Sequence, residues 1–138
     1  MSVTNNSEAA RPWTPVYLPE LPLPLGAYSP GVRAGPLLFI AGQTPRDPAT
    51  GAIVGTDTIA QTRQVLENLA GVLAAAGGSL HNLVAVTVHL VDVDEWGDFD
   101  RAYREVMRPP YPTRTVVGSA LRGIRVEISA IAWLGESR

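Results

Sequence analysis

The strongest constraint on the fold is a helical repeat of apolar residues followed by a strand pattern. From Ile59 to Leu73 apolar side chains recur at helical spacing, and Gly77-Gly78 then supplies a left-handed stop. Thr56 or Asp57 offers an N-cap side chain. Leu83 to Val91 alternates and is rich in β-branched residues, which is typical of a strand. A helix with one apolar face beside such a strand must pack on a sheet.

Turn signals predict two strands before this helix. Val32 to Ala34 and Leu37 to Ala41 flank the turn dipeptide Gly35-Pro36, so we expect a hairpin. The second of these strands ends in Gly42-Gln43.

The C-terminal half predicts a second helix and two strands. Asp94 is expected to cap this helix, and Pro109-Pro110 prevents it from continuing. Thr115 to Ala120 and Arg125 to Trp133 are predicted as a hairpin around Arg122-Gly123. The buried stripe of the helix is expected to comprise Trp96, Phe99, Tyr103, Val106 and Met107.

The resulting order, β-β-α-β-α-β-β, predicts an α/β (α+β) fold with one mixed sheet. Right-handed crossovers place both helices on the same face of that sheet. The last strand is nevertheless apolar on both sides, with Val126, Ile128 and Ala130 facing one way and Ile131 and Trp133 the other. We therefore expect the uncovered face to meet another subunit.

Composition narrows the possible classes of chemistry. The chain has 138 residues, no cysteine, two histidines and a net charge of -2, which argues against thiolate catalysis, a zinc site and nucleic-acid binding. Neither a signal peptide nor an apolar run of membrane-spanning length is present, so a cytoplasmic location with no membrane partner is expected. Residues 1–24 are predicted to form an extended arm, and residues 25–138 one domain.

Arg114 is the leading candidate for binding a small carboxylate. Pro112 restricts the backbone just upstream, and a guanidinium pairs with a carboxylate through two parallel hydrogen bonds. The alternative is a structural ion pair with Glu127 across the predicted hairpin.

Three further residues are candidates, each with a structural alternative. Glu127 lies among apolar residues and could orient water, or it could be a hydrogen-bonded interface residue. Tyr28 could line a cleft or merely pack beside prolines. Gly42 could let backbone approach a ligand or only serve the turn. No phosphate-binding glycine loop opens a helix, so chemistry without a cofactor is the simplest expectation.

Five motifs in order give the chain a family resemblance that extends over nearly all of it after Leu25. They are Gly26-Ala27-Tyr28-Ser29, Ile40 to Pro45, Gln61 to Leu69, Pro112-Thr113-Arg114-Thr115 and Val126 to Ala132. Together they resemble the RidA/YjgF/UK114 family, which is also labelled the endoribonuclease L-PSP family.

The resemblance implies a chorismate-mutase-like fold assembled as a trimeric barrel with active-site clefts between subunits. It also implies hydrolysis of reactive 2-imino or enamine acids to 2-keto acids and ammonia, without a cofactor or a metal. Arg114 matches the family's carboxylate-binding arginine, and Glu127 the glutamate that positions water. Tyr28 and Gly42 match residues that line the cleft.

Departures from the family pattern affect the expected pocket. Val116 stands where a cysteine is common, and Asp100 replaces a frequent asparagine. Asp100 would repel an anionic substrate if it pointed into the cleft, and otherwise it is a solvated helix-face residue. The segment from Arg114 to Glu127 is also shorter than usual, so the pocket rim is expected to differ.

Two alternatives to a general imine deaminase remain open at this point. One is an enamine deaminase dedicated to a single pathway, acting on an aminoacrylate or aminomuconate type of compound. The other is a non-catalytic trimer that binds small carboxylates or client proteins. RNA cleavage is disfavoured by the acidic pI of about 5.6 and the absence of a catalytic histidine pair.

Overall fold

A mixed sheet with two helices on one face forms the structure, a computed structural model that describes residues 10–135. Two short 3-10 turns span Leu80–Asn82 and Val93–Glu95. The elements are β1 (Thr14–Val16), β2 (Gly31–Ala34), β3 (Leu37–Gln43), α1 (Thr58–Ala75), β4 (Leu83–Leu90), α2 (Trp96–Val106), β5 (Thr113–Gly118) and β6 (Val126–Trp133).

The strand order is β1-β2-β3-β6-β4-β5, with the last strand of the chain inserted near the centre. Strands β3 and β4 both run antiparallel to β6 and are therefore parallel to each other, and β4 pairs in parallel with β5. Helices α1 and α2 are the two crossovers that these parallel relations require. The predicted order of elements is confirmed, with β1 as an additional edge strand within the segment expected to be an arm.

The hydrophobic core lies between the helices and one face of the sheet. Along β6, Val126, Ile128, Ala130 and Ala132 are buried, as the alternation predicted. Fully buried Leu66 and Leu69 of α1 belong to the same cluster. Each such large aliphatic side chain contributes about 1.5–3 kcal/mol on burial. This packing holds both helices against the sheet.

The opposite face of the sheet is open in the single chain. Trp133 stands opposite Leu37 and Ile131 opposite Phe39, and both Phe39 and Trp133 are exposed. Val117 of β5 is also exposed. Neither helix in residues 10–135 has the length and apolar content to span a bilayer.

The expected hairpin between the last two strands is wrong. Strand β4 lies between β5 and β6, and β5 runs from Thr113 to Gly118 instead of from Thr115 to Ala120. After β5 the chain passes the end of β4, where Ser119 N donates to Leu90 O and Val91 N donates to Arg125 O. The connection therefore crosses one strand before β6 begins.

The start of α2 also differs from expectation. Asp94 is not the N-cap of α2. It lies within the 3-10 turn that precedes the helix, and the side chain of Asp92 caps this turn by accepting the Asp94 N–H. Glu95, at the N-cap of α2, directs its carboxylate to Arg125 and Thr58 instead.

The buried stripe of α2 is narrower than predicted. Phe99, Tyr103 and Met107 are buried, whereas Trp96 and Val106 are exposed. Trp96 is the first residue of α2, and its ring lies against Arg114 instead of in the core.

Both ends of α1 have defined caps. Asp57 Oδ1 accepts the Ala60 N–H at 2.8 Å, which identifies Asp57 and not Thr56 as the N-cap. At the other end Gly77 has a φ of +85°, and Gly78 N donates to Leu73 O at 2.7 Å. The predicted glycine stop is therefore confirmed.

Substitution of the two candidate caps should separate their roles. We expect Asp57→Ala to lower the free energy of unfolding by about 1 kcal/mol, because one amide of the first turn loses its acceptor. Thr56→Ala, the matched control, should change it by less than about 0.5 kcal/mol. Urea denaturation followed by circular dichroism measures both, and equal losses would contradict the cap assignment.

Candidate active site

Arg114 lies on edge strand β5 and points to the helix side of the sheet. It stands beside Val86 in the parallel register, and its side chain is 21% exposed. Its Nη1 donates to Asp100 Oδ1 of α2 at 2.8 Å. Within residues 10–135 this is the one hydrogen-bond acceptor that the guanidinium contacts, and Arg114 lines the adjoining cavity.

Three aromatic rings of α2 surround the Arg114 guanidinium. Its Cζ lies 4.8 Å from the ring centroid of Tyr103 and 5.4 Å from the centroids of Trp96 and Phe99. A cation over an aromatic face gains about 0.5–2 kcal/mol per contact, depending on solvation. The rings restrict the side chain without using its hydrogen-bond donors. The site therefore holds a positive charge in a defined position.

A cavity of about 330 Å³ opens beside this guanidinium. Tyr103 lines this cavity. Its buried hydroxyl has no hydrogen-bond partner among the described residues. Burial raises the pKa of Tyr103, so the hydroxyl stays protonated and can donate. The lining residues are Asp100, Tyr103, Arg104, Tyr111, Pro112 and Arg114.

Asp100 is neither a solvated helix-face residue nor an unpaired charge in the cleft. Its side chain is 13% exposed, and its Oδ2 accepts from Arg104 Nε at 2.8 Å while Oδ1 contacts Arg114. The hydrogen bond from Arg104, followed by that from Arg114, holds the pKa of Asp100 below its usual 3.8 against the opposing effect of burial. Asp100 therefore stays ionised between two guanidinium groups.

Glu127 lies on the opposite face of the sheet from Arg114. Its neighbours in sequence, Val126 and Ile128, are buried under the helices, so the alternation of β6 turns Glu127 to the open face. It stands opposite His89 of β4 in the register.

A β-bulge on β3 makes room for the Glu127 carboxylate. Ile40 pairs with Ala130 and Gln43 with Ile128, so β3 uses one residue more than β6 over this stretch. Gly42 lies in the bulge, and a β-carbon there would overlap the carboxylate, with Glu127 Cδ only 2.9 Å away. Gly42 therefore provides the space that Glu127 occupies.

Tyr28 lies close to Gly42 at a second cavity, of about 380 Å³. Gln43, Thr44 and Asn68 also line it, and Asn68 Nδ2 donates to Thr44 O at 2.9 Å. Tyr28 is more than half exposed. Tyr28 therefore shares this cavity with Gly42, whereas Glu127 is not among the lining residues and faces the open side of the sheet.

The two parts of the predicted site do not meet within one chain. Arg114 and Glu127 lie on strands separated by β4 and on opposite sheet faces, so the alternative of a cross-strand ion pair between them is wrong. Val116, two residues after Arg114, faces the same side and packs against the core. Arg114 and Asp100 form one group, while Val116 packs on the core outside their cavity. Gly42 and Glu127 form the other group, and Tyr28 shares a separate cavity with Gly42.

The two histidines take part in local contacts. His89 Nδ1 lies 2.7 Å from Ser119 Oγ, and the His81 N–H donates to Ser79 Oγ. Within residues 10–135, no three His, Asp or Glu side chains cluster in a way that could hold a metal ion.

Sequence reasoning missed the contributions of Tyr103, Arg104 and Tyr111 to the cavity. Tyr103 was assigned to the core, and its ring does belong to the core cluster. Arg104 stands four residues after Asp100 on the same helix, and this spacing is the signal that could have revealed the pair.

The fold and these two groups define a single-domain α+β protein with an arginine-lined cavity at one sheet edge. The family model described as Endoribonuclease L-PSP matches residues 19–134. The chain therefore belongs to this family, the RidA/YjgF family.

Relatives of this chain agree in sequence and in structure. A RutC family protein of Pyrococcus horikoshii is 42% identical over 120 residues, covering 86% of this chain and 95% of the relative. The 2-iminobutanoate/2-iminopropanoate deaminase of Mus musculus is 35% identical, covering 84% and 87%. The crystal structure of RidA from Psychrobacter sp. PAMC 21119 matches with a TM-score of 0.81 at 33% identity, covering 87% and 98%.

The lowered pKa of Asp100 generates a prediction for stability. Its ion pairs should contribute fully above pH 3.8 and lose their contribution as the pH falls from there through the lower folded-state pKa. We therefore expect Asp100→Asn to be less stable than the wild type at pH 7, with the difference narrowing towards pH 2. Urea denaturation at both pH values measures it, with Asp98→Asn of the same helix as the control. A difference that persists unchanged at pH 2 would contradict the assignment.

Proposed function

We propose that this protein hydrolyses 2-imino acids and their enamine tautomers to 2-keto acids and ammonia. The observation that carries the proposal is the Arg114 guanidinium, which is bound through one nitrogen, surrounded by three rings and open to a cavity of small-molecule size. The imine deaminases of mouse and rat, at 35% and 34% identity, support the same reaction class.

Arg114 would bind the substrate carboxylate through its free edge. A planar guanidinium forms two parallel charge-assisted hydrogen bonds, which fix both the position and the plane of the carboxylate. Asp100 and the aromatic rings limit rotation of the guanidinium before the substrate arrives, so less entropy is lost on binding. The carbon that bears the imine is then held at a fixed distance from the arginine.

Glu127 would orient a water molecule and transfer a proton from that water to the substrate. Water oxygen bonds to the imine carbon while the water proton passes through the carboxylate to nitrogen, giving a tetrahedral amino alcohol. The hydroxyl proton then passes through the same carboxylate to the amino nitrogen as the C–N bond breaks, so that ammonia leaves and the 2-keto acid remains. Hydrolysis changes no oxidation state, so the reaction needs no oxidant or reductant.

We propose that each active site is formed between two subunits of a homotrimer. Arg114 and Glu127 face opposite sides of one sheet, so one small substrate cannot contact both within a chain. A heterologous interface would bring the β5 edge of one subunit to the bulge of β3 in the next. The exposed apolar side chains on the open face, including Phe39 and Trp133, support such an association.

Replacement of Arg114 tests the carboxylate contact. With 2-iminobutyrate generated in situ by a threonine dehydratase, Arg114→Ala should lose about 2–5 kcal/mol of transition-state stabilisation, at least about 30-fold in kcat/KM. Arg114→Lys should recover little, because lysine lacks the planar fork. Arg33→Ala, remote on β2, is the control. Equal ammonia release by wild type and Arg114→Ala would overturn the proposal.

Mixed oligomers test the shared site. Arg114→Ala and Glu127→Gln are expected to be inactive separately, whereas co-expressed subunits that mix at random should restore about one quarter of the sites in a heterologous ring. Light scattering coupled to size exclusion measures the oligomeric state of each sample. A mixed trimer without recovered ammonia release would show that the two residues do not complete one site across subunits.

A further inference from the structure

Three charged side chains form a line at the Arg114 cavity. Arg104 donates from Nε to Asp100 Oδ2, and Arg114 donates from Nη1 to Asp100 Oδ1, both at 2.8 Å. The side chains of Asp100 and Arg114 are mostly buried, whereas that of Arg104 is 67% exposed. Arg104 thus reaches the carboxylate from the solvent side, and Arg114 from the inner side.

We propose that Arg104 is a positioning residue that preserves the anion affinity of Arg114 by neutralising Asp100. The inference rests on the proposed function, since it concerns how that site keeps a positive charge for the substrate. Arg104 acts through Asp100, and the substrate carboxylate itself binds to Arg114.

The charges at the cavity support this role. Two guanidinium groups and one carboxylate are the charged groups among its described lining residues, which leaves one net positive charge. Without Arg104, Asp100 and Arg114 would form a neutral pair, and a substrate carboxylate would approach Asp100 with its charge uncompensated. Such like-charge proximity weakens anion binding. Arg104 therefore allows a carboxylate to be built into an anion site.

The contact of Asp100 with Arg114 orients the guanidinium. By occupying only Nη1, it fixes the guanidinium plane against the α2 rings and leaves the remaining donors for a ligand. Because Arg104 neutralises the charge of Asp100, this contact does not repel the substrate carboxylate. The two residues stand one helical turn apart, so the helix itself aligns them.

Single and double variants of the full chain test this arrangement. Arg104→Ala should raise the KM for 2-iminobutyrate and the Kd for 2-oxobutyrate by roughly fivefold to tenfold while kcat changes little. Arg104→Lys should retain most of the affinity. Arg101→Ala, which removes the same charge from an exposed position on the same helix, is the matched control.

The decisive measurement is the double variant Arg104→Ala/Asp100→Asn. Because the asparagine carries no charge, the double variant should recover most of the affinity for 2-oxobutyrate that Arg104→Ala loses, as measured by calorimetry. A merely structural role for the pair predicts additive losses instead, and that outcome would overturn the inference. So would equal Kd values for Arg104→Ala and Arg101→Ala. If the wild type neither binds 2-oxobutyrate nor releases ammonia, the proposed function itself fails.

Discussion

The insertion of β6 between β3 and β4 determines how the rest of the molecule is arranged. Since β6 is antiparallel to both neighbours, those neighbours are parallel and need crossovers, which α1 and α2 supply. The residues of β6 that face the helices are buried in the core, and this leaves Glu127 on the other side. The same insertion places β5 at the edge, with Arg114 beneath α2. One strand position therefore separates the two groups of the candidate site.

Local patterns predicted most of the elements but not how the strands pair. Residues close together in the chain determine the apolar repeat of α1, its stop at Gly77 and the alternation of β4. The structure confirms all three. The pairing of β5 with β4 depends on residues far apart in the chain, and so the expected β5–β6 hairpin was wrong. Asp94 failed as a cap because a 3-10 turn, held by Asp92, shifts the start of α2.

The candidate site was predictable in composition but not in its contacts. The arginine after Pro112, the glutamate in the last strand and the glycine at the end of β3 could each be selected from the sequence. The partner of Arg114 could not, because Asp100 reaches it from another element across a tertiary contact. The reason for Gly42 also required the register, since a β-carbon there would overlap Glu127. Ring contacts to Arg114 depend on how α2 packs, which periodicity alone does not specify.

The two edges of the sheet differ in how readily another strand could add to them. Strand β1 has only three residues, and Pro15 at its centre has no N–H to donate, so this edge is blunted. Strand β5 presents six residues without a proline and pairs with β4 on one side only. The edge at β5 therefore presents backbone N–H and C=O groups to which another strand could add, whereas the edge at β1 is interrupted by proline. Resistance to unwanted strand pairing is thus unequal at the two edges of this sheet.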